Sequence, residues 1–407
     1  MFNTFNFSNK IIDTLTIVFL TTTIVFSPFY IFNSGMAQPS HYIMAFCATA
    51  LLITKGNEFI HLVRKQIISI FFILLICSIN LIYGLNSHAL NFFINTAYWI
   101  YGFIILFSVI LIANETKYYK ITKFLIAISF ILIITLYFLG FGGYVYAPRY
   151  NGFFNSPNQI GYYSLLMMIV FFTTNNKKFD KLFFFVYALA LFTIYISGSR
   201  SVYLAIISLV FVFLIIPNIN FKQITLLLLL PFIVLFLTKI PTLEKKNYPL
   251  AYNSGLNINN IAIATDTISR FQDLSNMGVI RYQLEGRGYD RFYKYPHFLI
   301  YGAGQGNDNR FMTEFMSTMT HGHNYEIHSS LFAVLFYYGF VGLILFLKTI
   351  YNFFLFKKNI VFLLPIFTYG LFTYGLRTPY FWFALGFLIV MSDTFKSTNK
   401  INDIIKK

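Results

Sequence analysis

Charge is scarce in this 407-residue chain: only 11% of its residues are charged, where a soluble domain carries about a quarter. That scarcity excludes an ordinary water-soluble globule, and 57% apolar residues with a mean hydropathy of +0.66 argue the same way. Cysteine is nearly absent. Cys47 and Cys77 both fall within apolar runs, which excludes a disulfide framework and a thiolate metal cluster. The residue alternation of a membrane β-barrel is missing, and so is any internal repeat of the kind that marks inverted-repeat transporters.

What is present is a series of long apolar runs, such as 202–216 and 224–238. About 20 apolar residues suffice to cross a bilayer as a helix, so the chain reads as an all-α integral membrane protein. The expected spans are 11–32, 40–54, 66–84, 93–113, 124–143, 158–173, 182–196, 201–216, 224–239, 328–347, 359–376 and 379–393, about 12 transmembrane helices in all. The apolar stretch after Lys10 is too long for the core of a signal peptide and has no small-x-small cleavage site, so it counts as the first span.

Lysine is absent from one side of this topology. Outside a polar insert at 239–327, all seventeen lysines lie in the loops 55–65, 114–123, 174–181, 217–223 and 348–358, in the tail, or at Lys10. By the positive-inside rule these loops are cytoplasmic, as are both termini. The net charge of +16 is therefore a record of orientation and argues against a nucleic-acid partner. The organisation expected is helices 1–9 over 1–238, a periplasmic loop domain over 239–327, helices 10–12 over 328–393 and a cytoplasmic tail over 394–407. With nine basic and eight acidic residues, the insert is nearly neutral and reads as folded.

Single arginines mark the opposite face. Arg149 is the only ionisable charge in the loop Arg149-Tyr-Asn-Gly-Phe-Phe-Asn-Ser-Pro-Asn158, where Asn155, Ser156 and Pro157 suit the start of a helix. Arg200 sits in the tight turn Gly198-Ser199-Arg200-Ser201. A charge at that depth must snorkel, pair or face an aqueous cavity, and the small residues around it favour a ligand. Within 277–293, Arg281 and Glu285 are i,i+4 partners, as are Arg287 and Arg291, which is the pattern of a solvated surface helix. Arg291 and Arg377 read as no more than anchors. Gly302, Gly304 and Gly306 lack a strand–helix context and read as a tight turn. Three of the seven histidines, His321, His323 and His328, cluster with Glu326 before a span. Their spacing fits no zinc site, so His328, at the mouth of a span, reads as a general base.

Taken in order over roughly 140–345, these segments resemble the O-antigen ligase/polymerase superfamily of bacterial membrane glycosyltransferases. The resembling pieces are the 149–158 loop, Gly198-Ser199-Arg200-Ser201, the outer loop from Arg281 to Pro296 and Gly302-Ala-Gly304, and His328-Ser329 followed by Gly339-Phe-Val-Gly342. The resemblance implies a GT-C-like fold and an undecaprenyl-pyrophosphate-linked oligosaccharide used on the periplasmic side, with no metal and no cofactor. It implies Arg200, Arg281 and His328 as catalytic. Arg149 and Arg287 are expected helpers in substrate binding, with His323 and Asn324, a His-Asn pair displaced from the helix start, also on the site. Arg287 competes with Arg281 as the loop arginine, and His323 with His328 as the key histidine.

The acceptor would be a glycan or a lipid-linked repeat unit, the surroundings membrane lipids, and a chain-length regulator a candidate partner. Abundant Phe (52) and Tyr (30), with many Ile, Asn and Lys, resemble AT-rich polysaccharide gene clusters and favour polymerisation of O-antigen or capsule repeat units. A ligase attaching glycan to lipid A–core is the alternative within the family. A lipid-linked oligosaccharide flippase is the alternative of another class, disfavoured by the long insert and the near absence of charge within the spans.

Overall fold

The computed structural model describes residues 9–32, 37–113, 115–143, 149–216, 219–237, 284–312, 326–354 and 358–391, with backbone alone at 232–237 and 358. The expectations for Arg281, His323, Asn324 and most of the 239–327 insert lie outside these residues. Every regular element described is helical, apart from one isolated bridge between Gly143 and Gly152. In chain order the helices are α1 (Asn9–Thr21, extended by a π turn to Phe26), α2 (Pro39–Thr54), α3 (Gly56–Lys65), α4 (Ile67–Ser87) and α5 (Leu90–Ile112). They continue as α6 (Lys117–Phe138), α7 (Pro157–Thr174), α8 (Lys181–Ser197), α9 (Arg200–Ile215) and α10 (Phe221–Leu237). After the insert come two single turns, α11 (Arg291–Lys294) and α12 (Phe298–Tyr301), then α13 (Ser330–Phe354), α14 (Leu363–Phe372) and α15 (Pro379–Val390).

Five of these, α1 with its π turn, α4, α5, α6 and α13, are long and apolar enough to cross a membrane, and α2 with α3 would make a sixth. The other apolar helices counted as candidates, α8, α9, α10, α14 and α15, have 10–17 residues. α7 from Ile160 onward and α15 throughout are buried, so these two are the centre of the bundle. α15 packs on α5 and α7, α8 on α7, α14 on α9, and α4 and α12 on α13.

Two expected loops take another form. The stretch 55–65 is largely the helix α3, bent 93° from α2. Its Phe59 meets the ring of Phe107 at 5.9 Å, so one face packs while His61, Arg64 and Lys65 stay exposed. The stretch 286–290 is a turn, so Arg287 and Arg291 do not share a solvated helix.

The two ends of the bundle differ chemically. At the C-terminal end of α7, Lys123 donates to Asn175 Oδ1 at 3.1 Å, and Lys117 pairs with Asp13 at 2.6 Å and Glu115 at 2.9 Å. Lys55 joins them through Glu115 at 3.1 Å. The N-terminal end of α7, about 27 Å away at 1.5 Å per residue, holds the arginines.

One kink shapes that second end. Gly339 has φ 70° and ψ −177° inside α13, and a Cβ there would lie 2.4 Å from Ile300 O. The break frees carbonyls of the helix for other donors: Phe336 O accepts from Ala303 N at 3.0 Å and Tyr337 O from Gly304 N at 2.9 Å. Gln305 is then locked among Asn80, Trp99, Tyr338 and Tyr374 at 2.8–3.0 Å. The glycine-rich segment is thus a plug in the core, irregular chain with bends at Gln305 and Gly306 where the sequence suggests a tight turn.

Candidate active site

The site is built from helix starts. Ser156 caps α7 by accepting from Asn158 N at 3.1 Å, with Pro157 in the first helical position. α8 stops at Ser197, Gly198 reverses the chain with φ 56°, and α9 restarts at Arg200. Any side chain on Gly198 would be strained and would meet Arg149 Cγ at 2.9 Å. Arg149 closes the corner: Nε donates to Ser197 O at 3.0 Å and Nη2 to Asn158 Oδ1 at 2.7 Å.

From there one polar web reaches the last helices. Ser199 Oγ donates to Asn158 Oδ1 at 2.9 Å and lies 3.2 Å from Ser201 Oγ. Thr373 Oγ1 donates to Ser201 Oγ at 3.0 Å, and Ser330 Oγ donates to Thr373 O at 3.2 Å while accepting from Gly375 N at 3.1 Å. The turn 373–378 between α14 and α15 is therefore the hub that gathers the starts of α9 and α13. With the starts of α7 and α15 beside them, four helix N-termini, and their positive dipole ends, face the arginine end.

His328 stands two residues before α13. Its amide donates to Arg287 O at 3.1 Å, and Arg287 Nη1 donates to Phe372 O at 3.4 Å, tying both residues to the hub. His328 Nδ1 is 3.0 Å from Glu326 O. A carbonyl only accepts, so Nδ1 carries the proton and Nε2 of the neutral ring carries the lone pair. Burial holds the imidazole below its ordinary value, the charges of Arg287 and Arg291 push the same way, and the bond to Glu326 O opposes them. The ring is partly exposed.

Arg377 is not a simple anchor. Its Nη2 meets Glu326 Oε2 at 2.5 Å, its Nη1 donates to Asn95 Oδ1 of α5 at 3.3 Å, and it lies over the ring of Tyr374 at 5.5 Å. The sequence reading passed over this pair. The available signal was a lone arginine on the lysine-poor face and a lone acid two residues before His328.

Of the residues singled out from the sequence, Arg149, Arg200, Arg287 and His328 are brought to one end of the bundle. Between the two candidate loop arginines, Arg287 is the one within the described residues, and it touches His328. The arrangement combines an electropositive, helix-start environment with a neutral imidazole, which suits binding an anion beside a group that accepts a proton.

Residues 185–347 match the family described as O-antigen ligase. The matched stretch contains Arg200, Arg287 and His328 and ends before the 373–378 hub. No curated protein matches the chain. That match, which takes in the starts of α9 and α13, supports membership of the O-antigen ligase/polymerase superfamily.

Proposed function

We propose that this protein transfers an undecaprenyl-pyrophosphate-linked glycan to a sugar hydroxyl at the periplasmic face of the bacterial inner membrane, polymerising O-antigen or capsule repeat units. The observation that carries the reading is the partly exposed His328, its Nδ1 held by Glu326 O and its amide by Arg287 O, at the same end of the bundle as Arg149 and Arg200. In the reaction the bond between the anomeric carbon and the pyrophosphate oxygen breaks, and the departing oxygen keeps the electron pair. The acceptor oxygen bonds to the anomeric carbon, and its proton passes to His328 Nε2. Arg200 and Arg281 hold the pyrophosphate and the charge it gains, assisted by Arg149 and Arg287, with His323 and Asn324 contacting sugar.

The topology proposed with it has twelve spans, a GT-C-like arrangement, the insert as a periplasmic domain and both termini in the cytoplasm. The lysines gathered at the far end of α7 support this orientation. Deleting the gene and running the surface glycan on a gel separates the acceptors. Core carrying one repeat unit is expected for a lost polymerase; bare core with free lipid-linked polymer would make the protein a ligase, and blocked export of single units a flippase. Complementation with His328→Ala is expected to leave the deletion phenotype intact, and restored glycan would remove His328 as the base.

A further inference from the structure

The three residues before Ser329 are tied to three different parts of the bundle. Glu326 is fastened by Arg377 to the α14–α15 turn and, through Asn95, to α5. Ile327, fully buried, has its amide 3.4 Å from Tyr337 Oη on α13. His328 N bonds Arg287 O. A segment ahead of a helix has no i→i−4 ladder of its own, so such contacts are what set its position.

Among these, the Glu326–Arg377 pair has a particular geometry. The same residue that supplies the carbonyl for His328 Nδ1 is pinned by its side chain, so the imidazole proton and the carboxylate are held by one residue. The guanidinium and carboxylate are 35% and 24% exposed, so the pair is not sealed in the packed interior. We propose that Glu326 and Arg377 are the positioning pair for His328: Arg377 fixes Glu326, and the Glu326 carbonyl fixes the ring with Nε2 toward the acceptor. The assignment rests on His328 being the base. Neither side chain needs to touch the reacting atoms.

The test uses full-length protein in lipid nanodiscs and, as donor, undecaprenyl-pyrophosphate-linked oligosaccharide extracted from cells lacking the gene. Glu326→Gln and Arg377→Gln are each expected to lower kcat about 10- to 100-fold, the scale of a misplaced catalytic group, with KM for the donor unchanged. The double variant Glu326→Gln/Arg377→Gln leaves no unpaired charge and is expected to fold and to be no slower than either single, because both act through one contact. A raised KM with unchanged kcat would make the pair a substrate-binding site and overturn the proposal. Unchanged kinetics would overturn it, as would failure of the double variant to fold, which would make the pair scaffold. His328→Ala in the same assay separates the two readings: full turnover there means that the base was misassigned, whereas a dead His328→Ala beside an active Glu326→Gln means that only the positioning pair was.

Discussion

Arg291 and Arg377 each hold one carboxylate, at 2.6 Å and 2.5 Å, on either side of the start of α13, yet their surroundings are opposite. The side chains of Arg291 and Asp308 are 4% and 5% exposed, and Asp308 takes a second bond from Tyr337 Oη at 2.7 Å while Arg291 lies over Phe311. The Arg377–Glu326 pair is 35% and 24% exposed. Two ion pairs of the same type thus differ in what removing one partner would do. The enclosed one leaves a bare charge in the interior, whereas the open one leaves a charge that water or an anionic substrate reaches.

The comparison breaks first at Arg291. Arg291→Ala strands the Asp308 carboxylate and is expected to cost about 3–5 kcal/mol, read as a collapse of folded yield and thermal stability in detergent. If Arg377→Ala were equally destabilising, the division into an enclosed scaffold pair and an open pair would fail. Arg200→Gln tests the open side. Turnover is expected to fall about 100-fold, equivalent to about 2.7 kcal/mol at 1.36 per decade, with thermal stability near wild type. A stability loss that tracked the activity loss would move Arg200 into the scaffold. Gly339→Ala returns to the enclosed side. With φ 70° and a Cβ only 2.4 Å from Ile300 O, it is expected to cost on the order of 2 kcal/mol in stability.

Much of this contrast was hidden from the sequence for a physical reason. Helices in lipid must close their own backbone hydrogen bonds, so apolar segments announce themselves locally, and the apolar runs coincide with helices. Lysine sorting is also local, and Lys55, Lys117 and Lys123 do gather at one end. Pairing is not local. Arg377 finds Glu326 51 positions away and Asn95 282 positions away, and Arg291 finds Asp308 17 positions away. A window of four residues shows Arg291 as a surface charge, and only tertiary packing reveals it as buried. The position of His328 just ahead of a helix was legible from the apolar run that follows it. Its tautomer was not, since that depends on the turn of Glu326.

That tautomer carries a pH prediction for the site. Burial lowers the His328 value below the ordinary 6.5, so the neutral form persists to more acidic pH than for a free imidazole. The turnover rate is expected to stay level from neutral pH down past 6.5 and to fall only below it, as the base is protonated. Stability follows the same sign: the unfolded chain takes up the proton first, so the contribution of this group is present above the unfolded value and lost as pH falls. An acid limb in the pH–rate profile at or above 6.5 would contradict a buried, neutral ring.

Arg149 is the case that sharpens the boundary, because it has features of both classes. It is half-exposed like Arg377, yet its Nε and Nη2 are committed to Ser197 O and Asn158 Oδ1, and its stem packs on Gly198. Lysine keeps the charge but has no planar fork to serve two acceptors held apart at a helix end and a helix start. Arg149→Lys should therefore lose one hydrogen bond, about 1 kcal/mol, seen as a small drop in thermal stability with kcat within about threefold of wild type, less than half a decade of barrier. A large fall in turnover at unchanged stability would mean that Arg149 serves the pyrophosphate through its planar fork and not through its charge alone. A loss of several kcal/mol would place it with Arg291, and the corner at Gly198 would then be a structural lock on which the position of Arg200 depends.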